Sequence, residues 1–126
     1  PHYLFFRDHH LCAIEAPSTI AEVALFGIST IYPKGRYADV FTVAKRDIEV
    51  GRKLDGIGGY DCYGLVERAD IVQKEDLLPM GLAEYATALT KIKKDTPITY
   101  DMVDVADNEA FKLRKEQEKF SLPKML

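Results

Sequence analysis

The sequence predicts a mainly β fold with flanking helices, built from short bent strands. Three observations carry that prediction. The segment Ile48-x-x-Gly51-x-x-Leu54-Asp55 is echoed by Ile92-x-x-Asp95-x-x-Ile98-Thr99. In each copy an apolar residue is followed three positions later by a turn residue and three beyond that by a second apolar residue, which bends the chain twice within one short unit. The β-branched and aromatic run Tyr37-Ala-Asp-Val-Phe-Thr-Val-Ala44 reads as a strand. Helical spacing, by contrast, is confined to a segment near each end. Nothing alternates strand with helix in the rhythm that builds a parallel sheet.

Taken in order, Pro17-Ser18 precedes a helix over 19–26, with Ile20, Val23 and Ala24 on one face, Ser18 as its N-cap and Gly27 at its end. Ile28 to Tyr32 reads as a strand, Pro33-Lys-Gly35 as a turn, and the run from Tyr37 as the second strand of a hairpin. Four glycines between Gly56 and Gly64 exclude a regular element there, and Tyr63 to Glu67 follows as a strand. Leu78-Pro-Met-Gly-Leu82 reads as a tight corner. Alternating Ala88, Thr90 and Ile92, then Ile98, Tyr100 and Val103, give further short strands. Asp107 is placed to cap a final helix over 109–120, with Leu113, Gln117 and Phe120 on a thin apolar face. The resulting domain plan is an N-terminal segment and helix over 1–30, a strand-rich unit over 31–105 and a C-terminal helix and tail over 106–126.

Composition bounds the function classes. The 126 residues are 47% hydrophobic and 29% charged, enough for one domain with a real core. A net charge of -3 gives no global attraction to nucleic acid or to an anionic membrane, and the basic run Lys91, Lys93 and Lys94 is short. No apolar run approaches the roughly 20 residues that span a bilayer, and a cytoplasmic location is expected. Two cysteines, Cys12 and Cys62, are too few for a disulfide framework. The chain opens on Pro1 and an apolar Tyr3-Leu-Phe-Phe6, as if it left a larger core, so it reads as part of a longer protein.

Several residue groups invite chemistry. Gly56-Ile-Gly58-Gly59 resembles the start of a dinucleotide loop, but Asp61 stands where the third glycine is required and strand or loop stands where a helix should begin. A structural turn, or a loop contacting a sugar or phosphate through Gly56, Gly58, Gly59 and Tyr60, remains. His9, His10, Cys12 and Glu15 are ligand-type residues, but their spacing matches no closed zinc site, and no metal is expected. Arg7 and His10 suit a small anionic substrate, since guanidinium forks oxyanions and imidazole moves protons near neutral pH. Asp47, Glu49, Asp55 and Asp61 read as solvated turn residues, Arg46, Arg52 and Lys53 as solvated surface, and Tyr60 with Tyr63 as cross-strand packing. Ser18 has no nucleophile context.

As a group, Arg7-x-x-His10-Leu11, Glu15-x-Pro17, Ala44-Lys-Arg-Asp47, Gly51-x-x-Leu54-Asp-Gly-Ile-Gly-Gly59, Tyr63-Gly64 and Leu78-Pro-Met-Gly-Leu82 resemble the C-terminal part of homoserine-dehydrogenase-like oxidoreductases that carry a SAF domain. These include the deoxyxylulose-phosphate-reductoisomerase-like enzymes. The resemblance covers nearly the whole chain. It implies a β-clip, the folded-over arrangement of short bent strands. It also implies a parent with an upstream Rossmann domain that binds NAD(P) and a catalytic domain, with no cofactor held by the present chain. Where the family has Arg-Pro-Tyr-His-Leu, this sequence has Arg7-Asp-His-His-Leu11. That keeps Arg7 and His10 and changes the residues between them. The expected role is accessory, in assembly or active-site closure, with self-association through the apolar N-terminus and the final helix. A stand-alone module that binds a sugar acid or another small anion is the alternative.

Overall fold

A computed structural model describes residues 11–32 and 35–120. The chain divides into two compact units, 1–34 and 35–126.

In the first unit a helix, α1, spans Cys12–Phe26. It begins well upstream of the expected start, so Pro17 lies inside it and Ser18 is not its cap. The Ser18 hydroxyl instead donates to the carbonyl of Ile14, four residues back, at 2.9 Å. Gly27 ends the helix as expected. Its φ of 63° lets its amide return to the Val23 carbonyl at 2.9 Å. Residues 28–32 form no strand, contrary to the sequence reading. A strand needs a partner ladder, and the run from Ala38, expected to pair with this segment, pairs elsewhere along its whole length.

That run is β1, Ala38–Ala44, and it lies antiparallel to β2, Cys62–Arg68, from Ala38 opposite Arg68 to Ala44 opposite Cys62. A short helix, α2, follows at Ala69–Lys74. The Leu78-Pro-Met-Gly-Leu82 corner becomes a 3-10 turn over Met80–Tyr85, with Leu78, Met80 and Leu82 driven into the core. Two further strands, β3 (Ala86–Ala88) and β4 (Val103–Val105), form the second antiparallel pair. Among the described residues helical segments, the 3-10 turns included, hold more of the chain than strands do. The architecture is therefore one of small helices and short antiparallel strands in two small sheets.

The sequence echo is a structural repeat. Ile48 and Ile92 exchange both backbone hydrogen bonds, at 2.8 and 2.9 Å. The Gly51 amide donates to Ala88 at 2.8 Å, and in the other copy Asp95 donates to Ala44 at 2.8 Å. Leu54 donates to Ala86 at 3.0 Å and Ile98 to Thr42 at 2.9 Å, while Ala44 donates to Thr96 and Ala88 to Arg52. Exchanging the two copies maps each bond onto its counterpart, so the arms clasp one another about an approximate two-fold. Ile48, Leu54, Ile92 and Ile98 are buried in one cluster with Ala44, Leu78, Ala86 and Ala88. Each arm thus finishes the other's backbone pairing and core.

The turn residues of the repeat share a left-handed backbone, with φ of 81° at Gly51 and 63° at Asp95. Glycine takes this conformation without strain, whereas a side chain pays about 1–2 kcal/mol. A Cβ on Gly51 meets nothing within 4 Å, so the backbone term acts alone there. Gly51→Ala is expected to destabilise by about 1 kcal/mol, and Asp95→Gly, which relieves the left-handed strain but gives up the long 3.4 Å bond that Asp95 accepts from the Tyr63 hydroxyl, to stabilise by about 0.5 kcal/mol at most. Urea midpoints moving in the same direction for both variants would contradict this geometry.

The last helix, α3, spans Glu109–Gln117 and is capped by Asn108 rather than Asp107, the Asn108 side chain accepting from the Phe111 amide at 2.9 Å. Its inner face is not the expected stripe, since Leu113 and Phe120 are exposed. Phe111 meets Tyr100 edge-on with ring centroids 6.4 Å apart, and Arg114 forks the Asp39 carboxylate at 2.8 and 3.1 Å. The Lys115 ammonium lies 4.0 Å from the Tyr100 ring centre. A helix with so few apolar residues is held by an edge-on aromatic contact, a cation–π contact and a partly buried fork.

Candidate functional site

The glycine-rich loop leaves the first bent arm and delivers the chain to β2. Its organiser is Asp55. The Asp55 carboxylate accepts the backbone amides of Tyr60, at 2.5 Å, and Asp61, at 3.0 Å. A Cβ at Gly59 would stand 2.2 Å from that carboxylate, and one at Gly56 would stand 2.7 Å from the Glu84 Cβ. These two glycines are therefore places where only bare backbone fits. Burial works against ionisation of Asp55, but the Tyr60 and Asp61 amides outweigh it and hold the carboxyl below the usual range. A depressed folded-state pKa gives stability that is fully present above the unfolded-state value near 3.9 and is lost as pH falls through the lower folded value. Wild type is thus expected to lose more stability below about pH 4 than Asp55→Asn does, a difference that acid titration of the unfolding midpoint will read.

This geometry also bears on a dinucleotide. The two amides that would face pyrophosphate are taken by an internal carboxylate, and the loop enters a strand instead of a helix. The residues present do not fit that group. Tyr60 is exposed and does not pack across the strands, with the Lys45 ammonium 5.9 Å from its ring centre and 3.3 Å from the Gly59 carbonyl. Tyr63 sits opposite Val43 in β1, in accord with cross-strand packing.

One loop residue read as solvated is not. Asp61 is fully buried and its carboxylate is gripped by two arginines. Arg46 donates through Nε at 2.8 Å and through Nη2, and Arg52 donates through Nε at 3.0 Å and Nη2 at 3.3 Å. Both arginine side chains remain half exposed. The hydrogen bonds and charge of Asp61 push the Arg52 pKa up. Arg46, Arg52 and Asp61 line an open cleft of about 300 Å³ with Asp47, Ile48 and Glu49. The rim carboxylates have their own cations, Lys93 at 3.6 Å from Asp47 and Lys91 at 2.6 Å from Glu49. Two of the three lysines in the basic run of the second arm thus pair with the first, and the third, Lys94, donates its backbone amide to Asp47 at 2.8 Å.

Among the candidates from the sequence, Gly56, Gly58, Gly59 and Tyr60 share this loop, while Arg7 and His10 lie outside the described residues, as does His9. Cys12 and Glu15 are in α1. Among the described residues no group of three His, Cys, Asp or Glu side chains is arranged to hold a metal ion. Cys62 is buried, and desolvation followed by the charges of Asp61 and Asp55 pushes its thiol up to about 11, so it stays protonated at neutral pH. Arg46, Arg52 and Asp61 were missed because their meeting depends on loop closure. Asp61's place beside the first buried residue of β2 is the only local signal. No protein-family model matches the chain, and no curated protein matches it. Among the described residues no helix is long and apolar enough to cross a membrane.

Proposed function

We propose that the chain is the C-terminal, SAF-type β-clip portion of an NAD(P)-dependent oxidoreductase of the homoserine-dehydrogenase-like group, cytoplasmic and not catalytic alone. The observation that carries this reading is the reciprocal clasp of the arms around Ile48 and Ile92, a folded-over pair of bent strands, on a chain whose motifs resemble that group throughout. Its role is assembly or active-site closure beside upstream Rossmann and catalytic domains, which hold the cofactor. Self-association belongs to the same reading. α1 carries Ile14, Ile20, Val23, Leu25 and Phe26, and none of its residues is buried. The test is to express the reading frame extended upstream of Pro1 and titrate NADH and NADPH against it and against the 126-residue chain. Binding by the extended protein alone supports the proposal. Tight binding by the short chain, or an upstream sequence with no strand followed by Gly-x-Gly-x-x-Gly, overturns it. Light scattering showing only monomer would remove the assembly role.

A second reading, a stand-alone SAF-type module for a sugar acid or other small anion, is favoured by the half-exposed arginine pair. Intact mass of the natural product separates the two.

A further inference from the structure

We propose that Arg46 and Arg52 form an oxyanion-binding site, preorganised by the buried carboxylate of Asp61, for the carboxylate or phosphate group of a small molecule. Each arginine turns the same edge, Nε with Nη2, toward Asp61. A guanidinium has five donors, so each fork keeps its outer edge, Nη1 with the second hydrogen of Nη2, for another acceptor. Both side chains are half exposed and line the cleft of about 300 Å³, enough for a ligand of a few heavy atoms around its anionic end.

Charge agrees with this assignment. Asp61 offsets one of the two arginines, and Asp47 and Glu49 are offset by Lys93 and Lys91. Asp55 acts at longer range with its oxygens turned to the loop amides, and Lys45 stands across the loop at the Gly59 carbonyl. The basin is left with cations in excess, on a chain whose net charge is -3. Two long side chains normally lose rotamer freedom on gripping an anion, and a buried counter-carboxylate has already fixed them here. Asp47 and Glu49 on the rim can accept hydroxyl protons, which suits a hydroxylated acid. The site does not rest on the accessory-domain reading, because the residues that form it are all in this chain.

The experiment is a titration of the 15N-labelled 126-residue chain with sodium phosphate and, separately, sodium gluconate, against sodium chloride at equal ionic strength. The Nε–H resonances of Arg46 and Arg52 are the reporters. Saturable shifts at both with one or both anions, absent with chloride, are expected. Response to phosphate alone identifies a phosphate ligand, and response to gluconate alone a carboxylate. Arg46→Gln should weaken binding about tenfold, the loss of one charged hydrogen-bonding partner. Arg46→Lys, which keeps the charge and loses the fork, should weaken it nearly as much. Absence of saturable shifts with either anion overturns the proposal. So does unchanged affinity in a folded Arg46→Gln, Arg52→Gln double variant.

Discussion

Replacing Ile92 by Ala is expected to lower the free energy of unfolding by about 3 kcal/mol, as a fully buried isoleucine truncated in a core that cannot collapse around the gap. Ile48→Ala should cost about the same, because Ile48 is the opposite member of the same bridge and equally buried. The two losses should not add. The side chains share one cluster, so the second truncation enlarges a cavity that already exists, and the double variant should fall short of the sum by about 1 kcal/mol. For a domain with about 5–15 kcal/mol of stability, either single change consumes a large share. Urea unfolding of the four-member cycle measures this directly. Losses below about 1 kcal/mol, or strict additivity, would mean that the arms do not share a core.

Asp61→Asn is the second large effect, with an expected loss of about 2–3 kcal/mol. The side chain is buried and accepts from two guanidinium groups, and an amide of the same shape keeps one acceptor oxygen and turns donors toward two cations. The arginines should matter less singly. With Arg46 gone, Arg52 still faces the carboxylate, and each arginine side chain is half exposed and screened by solvent, so Arg46→Gln and Arg52→Gln should each cost less than Asp61→Asn does. Thermal or urea unfolding of the three variants tests the order. An Asp61→Asn protein as stable as wild type would show that the grip is a surface contact of no consequence, and the preorganisation argued for the oxyanion site would fall with it.

What could be read from the sequence was local. The run over 37–44 was legible because alternation and β-branching describe one strand whatever its partner, and it became β1. The left-handed cap at Gly27 was legible because glycine's freedom is a property of one residue. The repeat was legible as a pattern, since Ile48, Gly51 and Leu54 recur as Ile92, Asp95 and Ile98, though nothing in the spacing said that the copies bond each other. The failures have a common cause. Residues 28–32 have strand composition but no ladder, and partners are chosen by the whole chain. Ser18 and Asp107 have capping chemistry, and the helix ends fell elsewhere, at Leu11 and Asn108.

The candidate site divides along the same line. Residue type and near neighbours are enough to show that the loop after Leu54 needs its glycines, that Cys12 and Cys62 are too few for a disulfide framework, and that two bent units share one pattern. The burial of Asp61, the convergence of Arg46 and Arg52 on it from 15 and 9 residues away, and the meeting of Ile48 with Ile92 emerge only once the chain has folded. Burial and charge pairing are set by which distant segments close over a residue. For Asp61 that closure turned a residue read as a solvated turn carboxylate into the buried centre of the cleft.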